Sequence, residues 1–237
     1  MINIEKLSKN YSGTNVLDIE NIQIPSGQSF GLVGNNGAGK TTMFNLILDL
    51  IPPTAGYIKI NDIQVNKSEK WKPFTTAYID ETFIISYLFP EEFFEFLANL
   101  RGVDKQELHD FLDYFKDFFN DEILGKEKYI RDLSKGNQKK VGIVGALIGN
   151  PKLIVLDEPF ANLDPSTQIR LKTLLNQLRK DKEVTLLISS HDLGHITEVT
   201  DRIVVLDKGL IVKDIETNTN TLNELEIFFQ EQIQEHA

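Results

Sequence analysis

The sequence predicts an α/β domain that alternates strands and helices and carries an inserted, mainly helical segment. Three observations lead there. Short apolar runs at Lys152 to Asp157, Val184 to Ser189 and Arg202 to Leu206 read as strands, and a helix-length segment from about Ser166 to Lys180 separates the first two. Phe30-Gly31-Leu32-Val33 reads as a strand that stops at Gly34 and is followed by a glycine-rich turn and a helix. Between Glu91 and Phe119, aromatic and aliphatic residues recur at helical spacing.

The chain opens, from Ile2 to Gly31, with a pattern of short strands and turns in which Ile19, Ile22 and Ile24 precede a Pro25-Ser26-Gly27 turn. From Lys40 to Leu50 no Gly or Pro interrupts, and Met43, Leu46, Ile47 and Leu50 fall on one helical face before Pro52-Pro53 ends it. A small strand pair is expected over Gly56 to Val65, and Ala77-Tyr78-Ile79-Asp80 reads as a strand edge. Leu108, Phe111, Leu112, Phe115, Phe118 and Phe119 mark the helical segment, whose limits are placed near residues 83 and 150 within a single domain of residues 1–237. Most of that stripe is expected to be helical core, with a docking groove as the alternative. The tail from Thr221 to Ile233 reads as an amphipathic helix carrying Leu222, Leu225, Phe228 and Phe229.

Composition narrows the function. A chain of 237 residues that is 41% hydrophobic is large enough to bury a substantial core. Its net charge of −10 argues against a broadly basic face, so no nucleic-acid partner is expected. Cysteine is absent, which removes disulfides, thiolate nucleophiles and cysteine metal sites together. Met1 to Tyr11 lacks the apolar core of a secretory signal, and no apolar run approaches the roughly 20 residues of a membrane-spanning helix, so the chain itself is expected to span no membrane.

Gly34-Asn35-Asn36-Gly37-Ala38-Gly39-Lys40-Thr41 fits the G-x-x-x-x-G-K-T nucleotide-binding pattern between a predicted strand and a predicted helix. Its glycines let successive amides turn toward anionic oxygens, and the new helix aims its positive end at the same place. Lys40 is expected to reach the β- and γ-phosphates, Thr41 to ligate Mg²⁺ and Thr42 to donate to a phosphate oxygen. Leu153 to Leu156 is an apolar strand ending in Asp157 and Glu158. Adjacent acids on a strand diverge, so Asp157 is suited to Mg²⁺ and Glu158 to polarising an attacking water.

In combination these segments resemble the ATP-binding subunit of an ATP-binding cassette transporter, over nearly the whole chain. Leu133-Ser134-Lys135-Gly136-Asn137 resembles that family's signature, with Lys135 and Asn137 departing from its usual Gly and Gln. Ala161-Asn162-Leu163-Asp164 resembles its dimer-interface loop, and His191 its switch histidine. The resemblance implies a P-loop nucleoside triphosphate hydrolase fold with an N-terminal antiparallel β subdomain and an inserted helical subdomain. It implies ATP and Mg²⁺ as cofactors, a second copy of the cassette as partner, and a separate membrane permease that keeps the chain peripheral on the cytoplasmic face.

Residue by residue, it places Tyr11 and Val16 against the nucleoside, Ser134 and Gly136 at the γ-phosphate bound by the other copy, and His191 at γ-phosphate or attacking water. Glu81 stands where the family usually has Gln, as in some exporter ATPases; it is matched to a metal and catalytic role, with an ordinary loop acid as the alternative. His195 is expected to be a surface or packing residue. Two other functions stay open at this point: a nontransport regulatory or nucleic-acid-associated ATPase, and an ATP-binding module with little turnover.

Overall fold

A computed structural model describes residues 1–180 and 183–235. Two sheets organise it. The first is antiparallel, in the order β2-β1-β4-β5, and comprises β1 (Ile2–Tyr11), β2 (Thr14–Ile24), β4 (Ala55–Ile60) and β5 (Ile63–Gln64). The second has the order β10-β9-β3-β8-β7-β6. Its members are β3 (Ser29–Val33), β6 (Thr75–Tyr78), β7 (Leu153–Leu156), β8 (Thr185–Ser190), β9 (Arg202–Asp207) and β10 (Leu210–Glu216). All its pairings are parallel except that of β10 with β9.

The opening segment is less broken than expected. Residues 2–24 form two long strands joined at Ser12 and Gly13, whose φ angles of 49° and 88° suit a tight hairpin. Asn10, Asn15 and Asn21 do not interrupt the ladder, because the polar residues of these strands take the exposed face while Ile2, Ile4, Leu7, Leu17, Ile19, Ile22 and Ile24 are buried.

Both faces of the six-stranded sheet are covered, and the alternation along its strands divides the apolar residues between two cores. Leu153, Val155, Leu187, Val204 and Leu206 join Phe30 and Leu32 against α1 (Lys40–Ile47) and the antiparallel sheet. Ile154, Leu156, Leu186, Ile188, Ile203 and Val205 face the other way, onto a core shared with the remaining helices. Strands buried on both sides read as continuous apolar runs, which is why the sequence disclosed them so clearly.

Helix α1 is shorter than the apolar pattern suggested. It ends at Ile47, Asp49 takes a φ of 53°, and Leu50 is left 46% exposed instead of continuing the buried stripe. The helical part consists of α2 (Pro90–Arg101), α3 (Lys105–Tyr114), α4 (Lys116–Phe119) and α5 (Lys135–Leu147). The aromatic stripe expected on one helix is broken at Phe115 between α3 and α4, yet Phe115, Phe118 and Phe119 are all buried with Phe94 of α2. Most of the stripe is therefore core.

The last helices are α6 (Pro165–Lys180), α7 (Leu193–Val199) and α8 (Thr221–Glu235). Sequence patterning assigned neither α7, which is short, nor β10, an edge strand whose side chains alternate between exposed and half-buried. Among the described residues no helix is long and apolar enough to cross a membrane.

Candidate functional site

The carboxyl ends of β3, β7 and β8 lie side by side in the parallel sheet, the position at which open α/β sheets bind ligands. The turn leaving β3 is shaped by close approach. A Cβ on Gly34 would stand 2.2 Å from the carbonyl oxygen of Leu206, and Gly39, with φ 108°, has the Val16 carbonyl 3.0 Å from where its Cβ would be. Asn35, Asn36 and Gly37 are exposed at the tip, whereas Ala38 is buried beneath them.

Lys40 is buried at the start of α1, and its ammonium donates to the carbonyls of Gly34 at 2.6 Å and Asn35 at 3.4 Å. It also lies 3.5 Å from Glu158 Oε1. Thr41 Oγ1 donates to Asp157 Oδ2 at 2.5 Å, and Thr42 follows on the first turn, half-buried.

Asp157 and Glu158 diverge, but not by the strand alternation expected: β7 ends at Leu156, and the left-handed turn at Glu158 separates the two carboxylates. Asp157 is buried, its carboxylate accepting from Thr41 and from the Ser189 hydroxyl of β8. Burial pushes its carboxyl above the usual range, and the two hydroxyl donors oppose that shift. Glu158 takes a left-handed backbone, φ 46°, with its N–H donating to Ser189 Oγ at 2.9 Å and its carbonyl accepting from Lys139 Nζ at 2.8 Å. Its carboxylate is held between Lys40 and His191, whose Nδ1 is 2.9 Å from Glu158 Oε2. The His191 side chain is otherwise largely exposed.

Glu81 opens a turn after β6, and its Oε1 accepts from the Tyr78 hydroxyl at 3.0 Å. Burial raises the Tyr78 phenol, so this hydroxyl stays a donor. The Lys139 ammonium lies 5.8 Å from the Tyr78 ring centroid. Burial lowers the Lys139 ammonium, and the carboxylates of Glu81, Glu158 and Asp157 act in the opposite direction.

The residues of the site are thus brought together from five segments, but not all expected members join them. Ser134 is exposed at the start of α5, its Oγ accepting the N–H of Asn137 at 3.2 Å as a helix cap. Gly136 lies against residues 161–164 of the same chain, where a Cβ would stand 2.9 Å from the Asn162 carbonyl oxygen. Among the described residues, no hydrogen bond ties Ser134 or Gly136 to the phosphate loop. Tyr11 stands 47% exposed at the hairpin tip under the Lys9 ammonium, while Val16 meets the phosphate loop through its carbonyl. His195 packs its ring on Phe160, 4.7 Å between centroids, which fits a packing residue.

Sequence reasoning did not single out Ser189, Tyr78 or Lys139. Ser189 carried a weak signal, since it ends a strand beside the one bearing Asp157. Lys139 carried none, because its role arises from packing across elements distant in the chain.

The sites for the implied groups can be tested on this donor set. Thr41 and Asp157 offer hard oxygens, and among the described residues no group of three or more His, Asp or Glu side chains is arranged to hold a metal ion. That suits a Mg²⁺ ion completed by phosphate oxygens and water, rather than one caged wholly by protein.

Residues 17–161 match the family model described as ABC transporter. The chain belongs to the ABC transporter family, as an ATP-binding subunit. An uncharacterised ABC transporter ATP-binding protein of Methanocaldococcus jannaschii is 33% identical over 214 residues, covering 89% of this chain and 76% of that protein. The bacitracin transport ATP-binding protein of Enterococcus faecalis is 33% identical over 221 residues, covering 91% and 69%. A solved ATP-binding cassette dimer, in a post-hydrolysis state with ADP and Pi, shares the fold at a TM-score of 0.82 and 23% identity, covering 92% of this chain and 99% of that one. This ABC subunit is an ATPase with the P-loop fold, its antiparallel β subdomain at the N-terminus and its helical subdomain inserted.

Proposed function

We propose that two copies of this ABC subunit close on two ATP molecules, hydrolyse them, and drive a separate membrane permease in the direction of export. The observation that carries the catalytic reading is the Glu158 carboxylate, placed between Lys40 at 3.5 Å and His191 at 2.9 Å. In that place it can orient a water toward a γ-phosphate, with His191 available to hydrogen-bond the same water or the phosphate. Lys40, already free of bulk water, needs only to exchange loop carbonyls for phosphate oxygens. Thr41 and Asp157, with Glu81, would hold Mg²⁺, which would offset phosphate charge. Tyr11 and Val16 receive the nucleoside, and the loop from Gly34 to Thr42 the phosphates.

Ser134 and Gly136 act on the nucleotide of the other copy. Their separation from the phosphate loop of their own chain supports this reading, since from there they could reach a nucleotide only across a dimer. The dimer seen in a solved cassette with ADP and Pi supports it further.

The permease docks beside Glu81 and the helical subdomain. Phe83, Ile85 and Phe96 are each at least 40% exposed there, around a groove that Tyr78, Ile84 and Arg101 also line. Apolar patches of this kind mark contact surfaces. Docking there makes the subunit peripheral on the cytoplasmic face of the membrane. The export direction rests on the Glu81-type loop.

The test is Glu158→Gln. Hydrolysis of Mg-ATP is expected to fall by about 10²–10⁴-fold, the usual contribution of a positioned general base. The variant should accumulate as an ATP-bound dimer by size-resolved mass, whereas the wild type turns over and separates. Equal turnover in the two chains would remove Glu158 from catalysis.

A further inference from the structure

Lys139 is buried, 5% exposed, on α5, one turn beyond Gly136. A lysine so placed needs partners, and three elements supply them. Its ammonium donates to the Glu158 carbonyl after β7, at 2.8 Å, and lies against the Tyr78 ring at the end of β6. The carboxylates of Glu81, Asp157 and Glu158 are its electrostatic partners. Tyr78 reaches this place because Gly142, one turn further along α5, has no side chain: a Cβ there would stand 2.3 Å from the ring.

The peptide that carries Glu158 is therefore held at both ends. Ser189 of β8 fixes its N–H and Lys139 of α5 fixes its carbonyl, while its backbone sits in the left-handed region that a non-glycine residue does not choose unaided. A shift of α5 is transmitted to the carbonyl of Glu158 and so to the aim of its carboxylate.

We infer that Lys139 is a positioning residue: it ties the helix that begins with Ser134 and Gly136 to the catalytic Glu158 of the same chain. This inference rests on the composite-site reading above. Under it, α5 senses the nucleotide held by the partner and Lys139 relays that state to the water-orienting carboxylate of its own site. The two sites are then coupled through two lysine-to-carbonyl hydrogen bonds, one in each copy.

The experiment compares full-length wild type, Lys139→Met and Lys139→Gln in steady-state Mg-ATP hydrolysis. Methionine keeps an unbranched chain one atom shorter and removes the donor; glutamine, also one atom shorter, keeps an N–H donor without the charge. Lys139→Met is expected to lower kcat by about 10²-fold, the effect of misplacing a catalytic group by about an ångström, with KM for ATP changed by less than about threefold. Lys139→Gln is expected to recover most of the loss. Thermal melting of each variant separates positioning from a failure to fold.

Two mixed dimers, purified through different tags on their two chains, locate the effect. In the first, wild type is paired with a chain carrying both Lys139→Met and Glu158→Gln, so the remaining Glu158 keeps its own Lys139. In the second, a Lys139→Met chain is paired with a Glu158→Gln chain, so the remaining Glu158 has lost it. The first should turn over about 10²-fold faster than the second.

Equal or reversed rates would overturn the inference, as would wild-type kcat in Lys139→Met or equal inactivity in Lys139→Gln and Lys139→Met. Failure of Glu158→Gln alone to pair in ATP would instead overturn the composite-site reading, and the coupling with it. That result is read without any change at Lys139.

Discussion

Lys40 and Ser134 stand on two kinds of surface. Around Lys40, the side chains proposed for catalysis already have partners within the chain: the ammonium on the Gly34 carbonyl, Thr41 on Asp157, Glu158 on His191. Around Ser134, the helix start is exposed, and its cap is supplied by its own first turn. The first surface is organised before a nucleotide arrives. Under the proposed pairing, the second takes its nucleotide from the other copy. If that proposal holds, the difference teaches that a sequence can carry an organised phosphate-binding face and only half of a nucleotide site.

The largest expected break in that comparison is Lys40→Met. It removes charge-assisted hydrogen bonds worth about 1.5–3 kcal/mol, so the nucleotide Kd of the isolated subunit should rise by about 10–150-fold in equilibrium binding. Gly136→Ala should act on the other face alone. Its Cβ would stand 2.9 Å from the Asn162 carbonyl, and the forced shift costs about 1–3 kcal/mol. Binding to the single chain should stay at wild-type affinity, while ATP-driven pairing in a Glu158→Gln background weakens. Reduced affinity of the lone chain would dissolve the distinction between the two faces.

A smaller effect is expected at Asp164, which caps α6. Its carboxylate accepts from the Ser166 and Thr167 hydroxyls and from the Thr167 N–H, and these bonds hold its carboxyl well below the ordinary value of 3.8. A lowered folded-state value means that the unfolded chain binds the proton more readily. The contribution is therefore present above about pH 4 and is lost as the pH falls further. Asp164→Ala should cost about 1 kcal/mol at neutral pH in urea unfolding, and less than that in acid.

The parts legible in the sequence are those whose chemistry is contiguous. Gly34 to Thr42 and Asp157-Glu158 each carry their meaning within nine residues or fewer, and the two-sided burial of β7, β8 and β9 leaves unbroken apolar runs. Reading failed where a neighbour in space decides. Leu50 continues the helical stripe in sequence, but the chain turns at Asp49 and leaves it exposed. β10 carries the strand-favouring Ile211, Val212 and Ile215, but it has one open edge and no clean apolar alternation, so its pattern does not read as a strand. Lys139 and Tyr78 became site residues only once α5 lay against β6, a contact that no local spacing encodes.

The division of the interior by the six-stranded sheet has a thermodynamic consequence. Leu46 on α1 and Leu171 on α6 are both buried, one in each core, with the sheet between them. Cavities opened on opposite sides share no collapsing neighbours. Leu46→Ala and Leu171→Ala should each cost about 2–5 kcal/mol, and their double variant should equal the sum to within about 0.5 kcal/mol in denaturant unfolding. Pairs in contact within a single core should depart from additivity. The sheet then behaves as an energetic partition, letting sequence drift on one face without compensating changes on the other.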